Sequence, residues 1–333
     1  MLYRTVISPS VFNIAESNSY QYSLVINLLK DLNNNCLLLE DENSILRNKI
    51  MHYLELWPVK FRKPAKELIK QLRDKNHRMV KVNLSYNVPE DCGHIFNQLA
   101  SNFEINAALY SQKCCVDNNE KNKNIFISTE DYSISKFNNQ IRKVSIRLSH
   151  QEWTQGTFEN QVLVPIFKYA KHIKLYDRYI GRTISTNIRY TNTLNWILDI
   201  FIRESYYMKP EVKTTVNFEI YTGLLIGGRN GVPESEVNSY INRIRELEAQ
   251  LGRKLKSANE NGNIKIILKK ENGDSSNSPQ YPHARYLFTN QIGLFIDRGF
   301  DLLSNNFIRD LHISYQSEES KITQELRLLE DLL

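Results

Sequence analysis

Short apolar runs alternate with amphipathic stretches of helical period along most of this chain. Val6 to Phe12 reads as a strand broken by Pro9, because proline cannot serve an interior ladder. Leu24, Leu28 and Leu29 predict a helix over about Tyr20–Leu32, ended by Asn33-Asn34-Asn35. Cys36–Leu39 is a buried strand, Ile45–Leu56 a helix closed by Pro58, and Pro64–Lys75 a basic helix with Leu68, Ile69 and Leu72 as its apolar stripe. Strands at Val80–Leu84, Ala107–Tyr110, Ile125–Thr129 and Val144–Leu148, with a helix over Cys92–Glu104, complete the first half. Alternating strands and helices of this kind predict an α/β domain with a largely parallel sheet.

The second half continues the alternation. A helix over Phe158–Ala170 feeds a strand at Ile173, and Thr191–Glu204 is a second helix. Thr215–Tyr221 is an alternating strand, and Leu224–Gly231 reads as a glycine-bearing loop. Ser235–Leu255 is a long helix with a charged outer face, and Ile264–Leu268 the next strand. Tyr286–Phe288 and Leu294–Ile296 read as a hairpin, with Asn290 and Gly293 supplying left-handed backbone at the turn. His312–Tyr315 is a last edge strand. The tail, Glu318–Leu333, aligns Ile322, Leu326, Leu329 and Leu333 on one helix face, as a candidate dimer element. The fold class expected is α/β in two domains: residues 1–152, a three-layer α/β domain; residues 153–316, a second α/β domain; and residues 317–333, an amphipathic helix.

Composition changes this picture little. At 333 residues and 41% hydrophobic content the chain can bury two cores. The formal charge of +6 suits phosphate-bearing partners, nucleic acid or anionic lipid. Cys36, Cys92, Cys114 and Cys115 lack zinc-ribbon spacing and read as reduced thiols. With no signal-peptide core and no run of about twenty apolar residues, a cytoplasmic protein is expected.

Candidate chemistry gathers near the hairpin. His283 and Arg285, two residues apart, share one face of an extended segment. Arg offers phosphate a bidentate fork, and His can act as acid, base or nucleophile. The plainer alternative is that His283 caps a strand and Arg285 pairs with a carboxylate. The spacing H-x-R-x4-N over His283, Arg285 and Asn290, then Gly293 and Arg298-Gly299-Phe300-Asp301, resembles the phospholipase-D-like domain that follows the MIT domain in a eukaryotic membrane-remodelling protein and its prokaryotic relatives. Ile173–Arg182, with Asp177, Arg178, Tyr179 and Ile180, resembles the same family's entry strand. The resemblance covers roughly residues 155–315.

That resemblance implies a phospholipase-D-like fold and a site in which His283 attacks phosphorus. Arg285, Arg298, Arg178 and Tyr179 would hold the phosphate, while Asn290 and Asp177 support the histidine. The catalytic pattern is H-x-K-x4-D, and this chain carries Arg285 and Asn290 at its Lys and Asp positions. The same two departures occur in the membrane-binding, non-hydrolytic relative. In prokaryotes such domains accompany conflict and phage-defence systems.

The first half is similar, in element order and in its late Ser128-Thr129-Glu130-Asp131, to a PIN-type nuclease domain. Such domains gather acidic side chains around a divalent metal. Here Ser8-Pro9-Ser10 stands where that family places its first Asp. Asp41 and Asp131 are the candidate metal ligands, no other cofactor is expected, and a solvated acidic loop is the alternative.

Three functions follow as expectations. The first is a phosphate-recognising, nucleic-acid-associated protein of a prokaryotic defence system. The second is a phosphodiesterase or nuclease using two copies of His283 across a homodimer. The third is a non-enzymatic scaffold in a larger complex or an anionic-membrane module.

Overall fold

The computed structural model describes residues 2–15, 18–75, 77–84, 91–111, 125–143, 145–149, 152, 154–180, 188–273, 281–283, 285–297, 300, 311–316 and 319–333. The chain divides into two compact units, Met1–Lys143 and Val144–Leu333.

In the first unit β1 (Tyr3–Ile7) leads through a short 3-10 turn, Pro9–Phe12, into α1 (Ser19–Asn35). There follow β2 (Cys36–Asp41), α2 (Ile45–Glu55), α3 (Val59–Lys70) and β3 (Met79–Val82). Then come α4 (Cys92–Asn102), β4 (Ala107–Tyr110), β5 (Phe126–Ser128) and α5 (Lys136–Ile141). The strands form one parallel sheet in the order β3-β2-β1-β4-β5.

Both faces of that sheet are covered. Tyr3, Ile7, Leu38, Leu109 and Ile127 meet the apolar stripes of α1, α3 and α5, including Leu28, Leu29, Ala65, Ile69 and Phe137. Phe126 points away from Ile127 by strand alternation, and meets α4's Phe96 edge-on at 6.0 Å. The arrangement is a three-layer α/β sandwich. The basic helix begins at Val59, five residues before the expected Pro64, which lies inside it. Pro64 is the sixth residue of the helix, past the first turn, so it forgoes the intrahelical bond its N–H would have made to Lys60 O. The helix then runs into a wide turn, Gln71–Lys75.

The second unit starts earlier than expected. β6 (Ser145–Leu148) pairs not with the first sheet but with a late strand, which moves the division to residues 143/144. α6 (Gln155–Phe158) and α7 (Val164–Phe167), joined by a wide turn, precede β7 (His172–Tyr176). Next are α8 (Ile188–Glu204), β8 (Val216–Ile226), α9 (Val237–Ala258) and β9 (Gly262–Asn272). β10 (Arg285–Thr289), β11 (Gly293–Ile296), β12 (Leu311–Gln316) and α10 (Glu319–Arg327) close the chain.

These strands make a seven-stranded mixed sheet, β6-β12-β11-β10-β7-β8-β9. β7, β8 and β9 run parallel, and each of the other pairings is antiparallel. β12 is therefore interior and β6 the edge, reversing the expectation for His312–Tyr315. β8 absorbs Leu224–Ile226, which had read as loop. The expected hairpin forms between β10 and β11, but neither Asn290 nor Gly293 takes positive φ. Thr289 organises that turn instead, its hydroxyl accepting the N–H groups of Gln291 and Ile292, both at 3.1 Å.

The tail docks on its own unit. Ile322, Leu326 and Leu329 pack against Tyr176, Tyr281 and Phe288. Lys174 and Tyr176 both reach the Glu319 carboxylate, at 2.7 and 3.1 Å. Residues 330–332 bond back to β9, Lys270 N–H to Glu330 O and Leu332 N–H to Leu268 O, which shields that sheet edge. Of the apolar face offered as a dimer element, Ile322, Leu326 and Leu329 are buried here and Leu333 is partly buried.

Two outcomes follow. Leu326→Ala is expected to lower unfolding stability by about 2–4 kcal/mol, read from urea denaturation; an unchanged midpoint would mean the tail is not part of this core. Burial pushes the Cys36 thiol up to about 12, so native protein at pH 8 should leave Cys36 unalkylated by iodoacetamide until urea exposes it.

Candidate functional site

The parallel strands β7, β8 and β9 end on the same edge of the second sheet, where ligands of open α/β sheets gather. β10 runs antiparallel to β7, so its first residues lie at that same edge. The chain thus brings Asp177, Arg178 and Tyr179 from the end of β7 together with Glu271 of β9 and with Tyr281, His283 and Arg285 before and at the start of β10.

Arg178 is the hub. Its guanidinium donates from Nε to Glu271 Oε1 at 3.0 Å, and its Nη2 lies 2.5 Å from Oε2. The pair is buried, with 5% of the Arg178 side chain and none of the Glu271 side chain exposed. Bidentate geometry of this kind offsets the desolvation of two charges only when remaining groups are also satisfied. Glu271 meets that condition by accepting the Tyr281 N–H at 3.0 Å. Room for the carboxylate comes from Gly223 on β8, where a Cβ would stand 2.5 Å from Glu271 Oε1.

The remaining arm of Arg178 reaches His283. Nη1 lies 2.8 Å from Nε2 and 3.2 Å from Nδ1 of the imidazole. A guanidinium only donates, so the ring nitrogen is the acceptor in this contact. The imidazole is otherwise exposed.

Arg285 sits differently. Its guanidinium carbon lies 5.1 Å from the centre of the Tyr179 ring, a cation–π contact. Its Nε is buried with no hydrogen-bond partner, and among the described residues no carboxylate pairs with it. The alternative that Arg285 is held by a carboxylate is not realised there.

Asp177 is fully buried, and its oxygens accept the backbone N–H groups of Tyr179 at 2.9 Å and Phe300 at 2.8 Å. These bonds clamp two loops together. Asn290 lies at the far end of β10, five extended residues or about 17 Å from Arg285. There its Oδ1 accepts the N–H groups of Lys171 and His172, fixing the entry to β7. Asn290 therefore stands outside the site. Arg298, Gly299 and Asp301, like Cys114 and Cys115, lie outside the described residues.

In the first unit Asp41 caps α2, accepting from Ile45 and Leu46 N–H at 2.7 and 3.0 Å. Asp131 accepts from Ser128 Oγ at 2.7 Å. β2 and β5 are three strands apart, about 14 Å, so these two carboxylates do not share an ion. Among the described residues no group of three or more His, Cys, Asp or Glu is placed to hold a metal, and no helix is long and apolar enough to cross a membrane.

Glu271 and Gly223 were not singled out from sequence. The expected strand ended at Leu268, short of Glu271, and a usable hint is the glycine in the apolar run after Tyr221, which can mark a close approach of another group.

No family model matches the chain, and no curated protein matches it. Among solved structures, the archaeal chromatin protein TrmBL2, described as showing a novel mode of DNA binding, is similar over 57% of this chain at 11% identity, with a TM-score of 0.26. The chain spans 55% of that protein's length, and a likeness at this score carries no weight for fold or function.

Glu271→Gln should cost about 3–5 kcal/mol by leaving Arg178 buried without its counter-charge. Gly223→Ala should destabilise in the same sense, because Cβ displaces the same carboxylate. Equilibrium unfolding checks both, and unchanged stability of both variants would remove the ion pair from its organising position.

Proposed function

We propose that the second unit is a phospholipase-D-like phosphate-recognition module that binds the phosphodiester of a nucleic acid at Arg285 and His283. The observation that carries the reading is the Arg285 guanidinium, which has a buried, unfilled Nε–H and no carboxylate partner among the described residues. An unmet buried donor beside an exposed imidazole is an arrangement that an oxyanion completes. Arg178 contributes through Nη1 once an anion draws His283 away, while Glu271 keeps the rest of that guanidinium occupied.

Recognition is favoured over cleavage. A histidine nucleophile needs its lone pair free, and Arg178 engages the near ring nitrogen. The second histidine that such chemistry uses as a general acid would have to come from another copy. The resemblance of the two motifs to the phospholipase-D-like family, and the place of such domains in prokaryotic defence, are consistent with a nucleic-acid partner.

A single phosphodiester separates this site from non-specific charge. Titrating the full chain with a dinucleoside monophosphate should shift the His283 imidazole resonances. Arg285→Ala should weaken the response by tenfold or more, as about 1.5–3 kcal/mol is typical of a hydrogen bond to a charged group. Equal responses from both proteins, or none from either, would reject the site. Hydrolysis of the diester by wild type and not by His283→Ala would establish cleavage instead.

A further inference from the structure

The whole formal excess of positive charge in this protein lies in one short stretch. Residues 45–75 contain nine Lys and Arg against three Asp and Glu, a net of +6, which equals the net charge of the entire 333-residue chain. The remaining residues balance to zero. That stretch is α2, α3 and the wide turn Gln71–Lys75 of the first unit, and nothing in the phosphate site uses it.

The fold sorts these charges. α3 buries Ala65 and Ile69, and the turn after it buries Leu72, against the sheet. The opposite face is exposed and reads Lys60, Lys63, Pro64, Glu67 and Lys70, continuing to Lys75. Three other cations are already neutralised: Arg62 and Lys66 pair with Glu55, and Arg73 with Asp74. Lys60, Lys63, Lys70 and Lys75 have no carboxylate partner among the described residues. Glu67 and Asp74 are the acids in their midst, and Asp74 is taken up by Arg73. The ridge is also held firmly. Phe61 stacks on Tyr22 at 5.0 Å, and the Trp57 indole N–H donates to Phe12 O at 2.8 Å.

Seventeen residues of helix and turn make a ridge of about 25 Å. That length of duplex axis carries about seven phosphates on each strand. We infer that this ridge is a nucleic-acid docking surface, in which Lys60, Lys63, Lys70 and Lys75 contact the phosphate backbone without reading bases. Lys60 also lies 4.7 Å from the centre of the partly buried Phe61 ring, so aromatic surface adjoins the cations. An anionic membrane fits less well. The exposed aliphatics Leu56 and Val59 both sit at the α2–α3 corner, at one end of the ridge, rather than between the lysines as bilayer insertion requires. The inference stands without the phosphate site of the second unit.

The test uses the full chain, a fluorescent 20-base-pair duplex and a matching single strand, titrated by anisotropy between 50 and 200 mM salt. The expected result is binding that weakens steeply with salt. Simultaneous K60Q, K63Q and K70Q should make the logarithmic salt slope shallower by about 2.7, from about 0.9 per phosphate contact. Affinity at 50 mM salt should fall tenfold or more. Glutamine keeps helix propensity near that of lysine, and circular dichroism verifies folding. A control with R253Q, K256Q and K265Q, all exposed in the second unit, removes the same charge and should change affinity far less. The ridge variant should leave the His283 response to a dinucleoside monophosphate intact, so the two sites succeed or fail separately. The inference is overturned if the ridge variant binds like wild type, if the control loses as much, or if only anionic vesicles are bound.

Discussion

Arg178 and Glu271 hold each other inside the second unit, and the geometry of its ligand edge follows from that contact. A guanidinium and a carboxylate with almost no exposure require a bidentate fit and further hydrogen bonds. The fit exists because Gly223 has no Cβ, and the further bond comes from the Tyr281 N–H. The pair thus ties the loop after β7 to β9 and to the segment entering β10. His283 and Arg285 are presented where they are because their neighbours on both sides are fixed to one carboxylate.

A second tie acts beside the first. Asp177 uses both oxygens on backbone N–H groups from two loops, a structural role that a buried carboxylate fills well. The upstream acid of the motif therefore supports the site through the backbone. Arg178, which the motif placed on phosphate, is mostly engaged internally. What remains available to an anion is Arg285, resting on Tyr179, with the exposed face of His283. The two units carry positive charge in opposite styles: one guanidinium recessed at a sheet edge, and a row of lysines along a helix.

Much of this was legible from the order of residues. Period-two and period-3.6 patterns located the hairpin β10–β11, the long helix α9 and the parallel first sheet, because burial of one face dictates those periods. The tail helix was equally clear, though its partner was not: an apolar stripe states that it is covered, not by what. β6 was recognised as a strand but assigned to the wrong sheet, since its pairing with β12 spans more than 160 residues and leaves no local trace. The site was half visible. His283, Arg285 and Arg178 carried their chemistry openly. Glu271 did not, because the room for its carboxylate is made by Gly223 and its ion partner is Arg178, both distant in sequence. Asn290 was misplaced by trusting motif spacing over geometry, for five extended residues carry a side chain to the other end of a strand.

The central claim is that the unfilled Nε–H of Arg285 is completed by a phosphate oxygen. Crystals of the full chain soaked in tungstate, a heavy tetrahedral oxyanion, would test it directly by anomalous scattering. The account predicts one ordered anion within about 3 Å of Arg285 Nε, with His283 in reach and the Arg178–Glu271 pair intact. Arg285 closed onto a carboxylate of its own chain, with no anion at that edge, would contradict it.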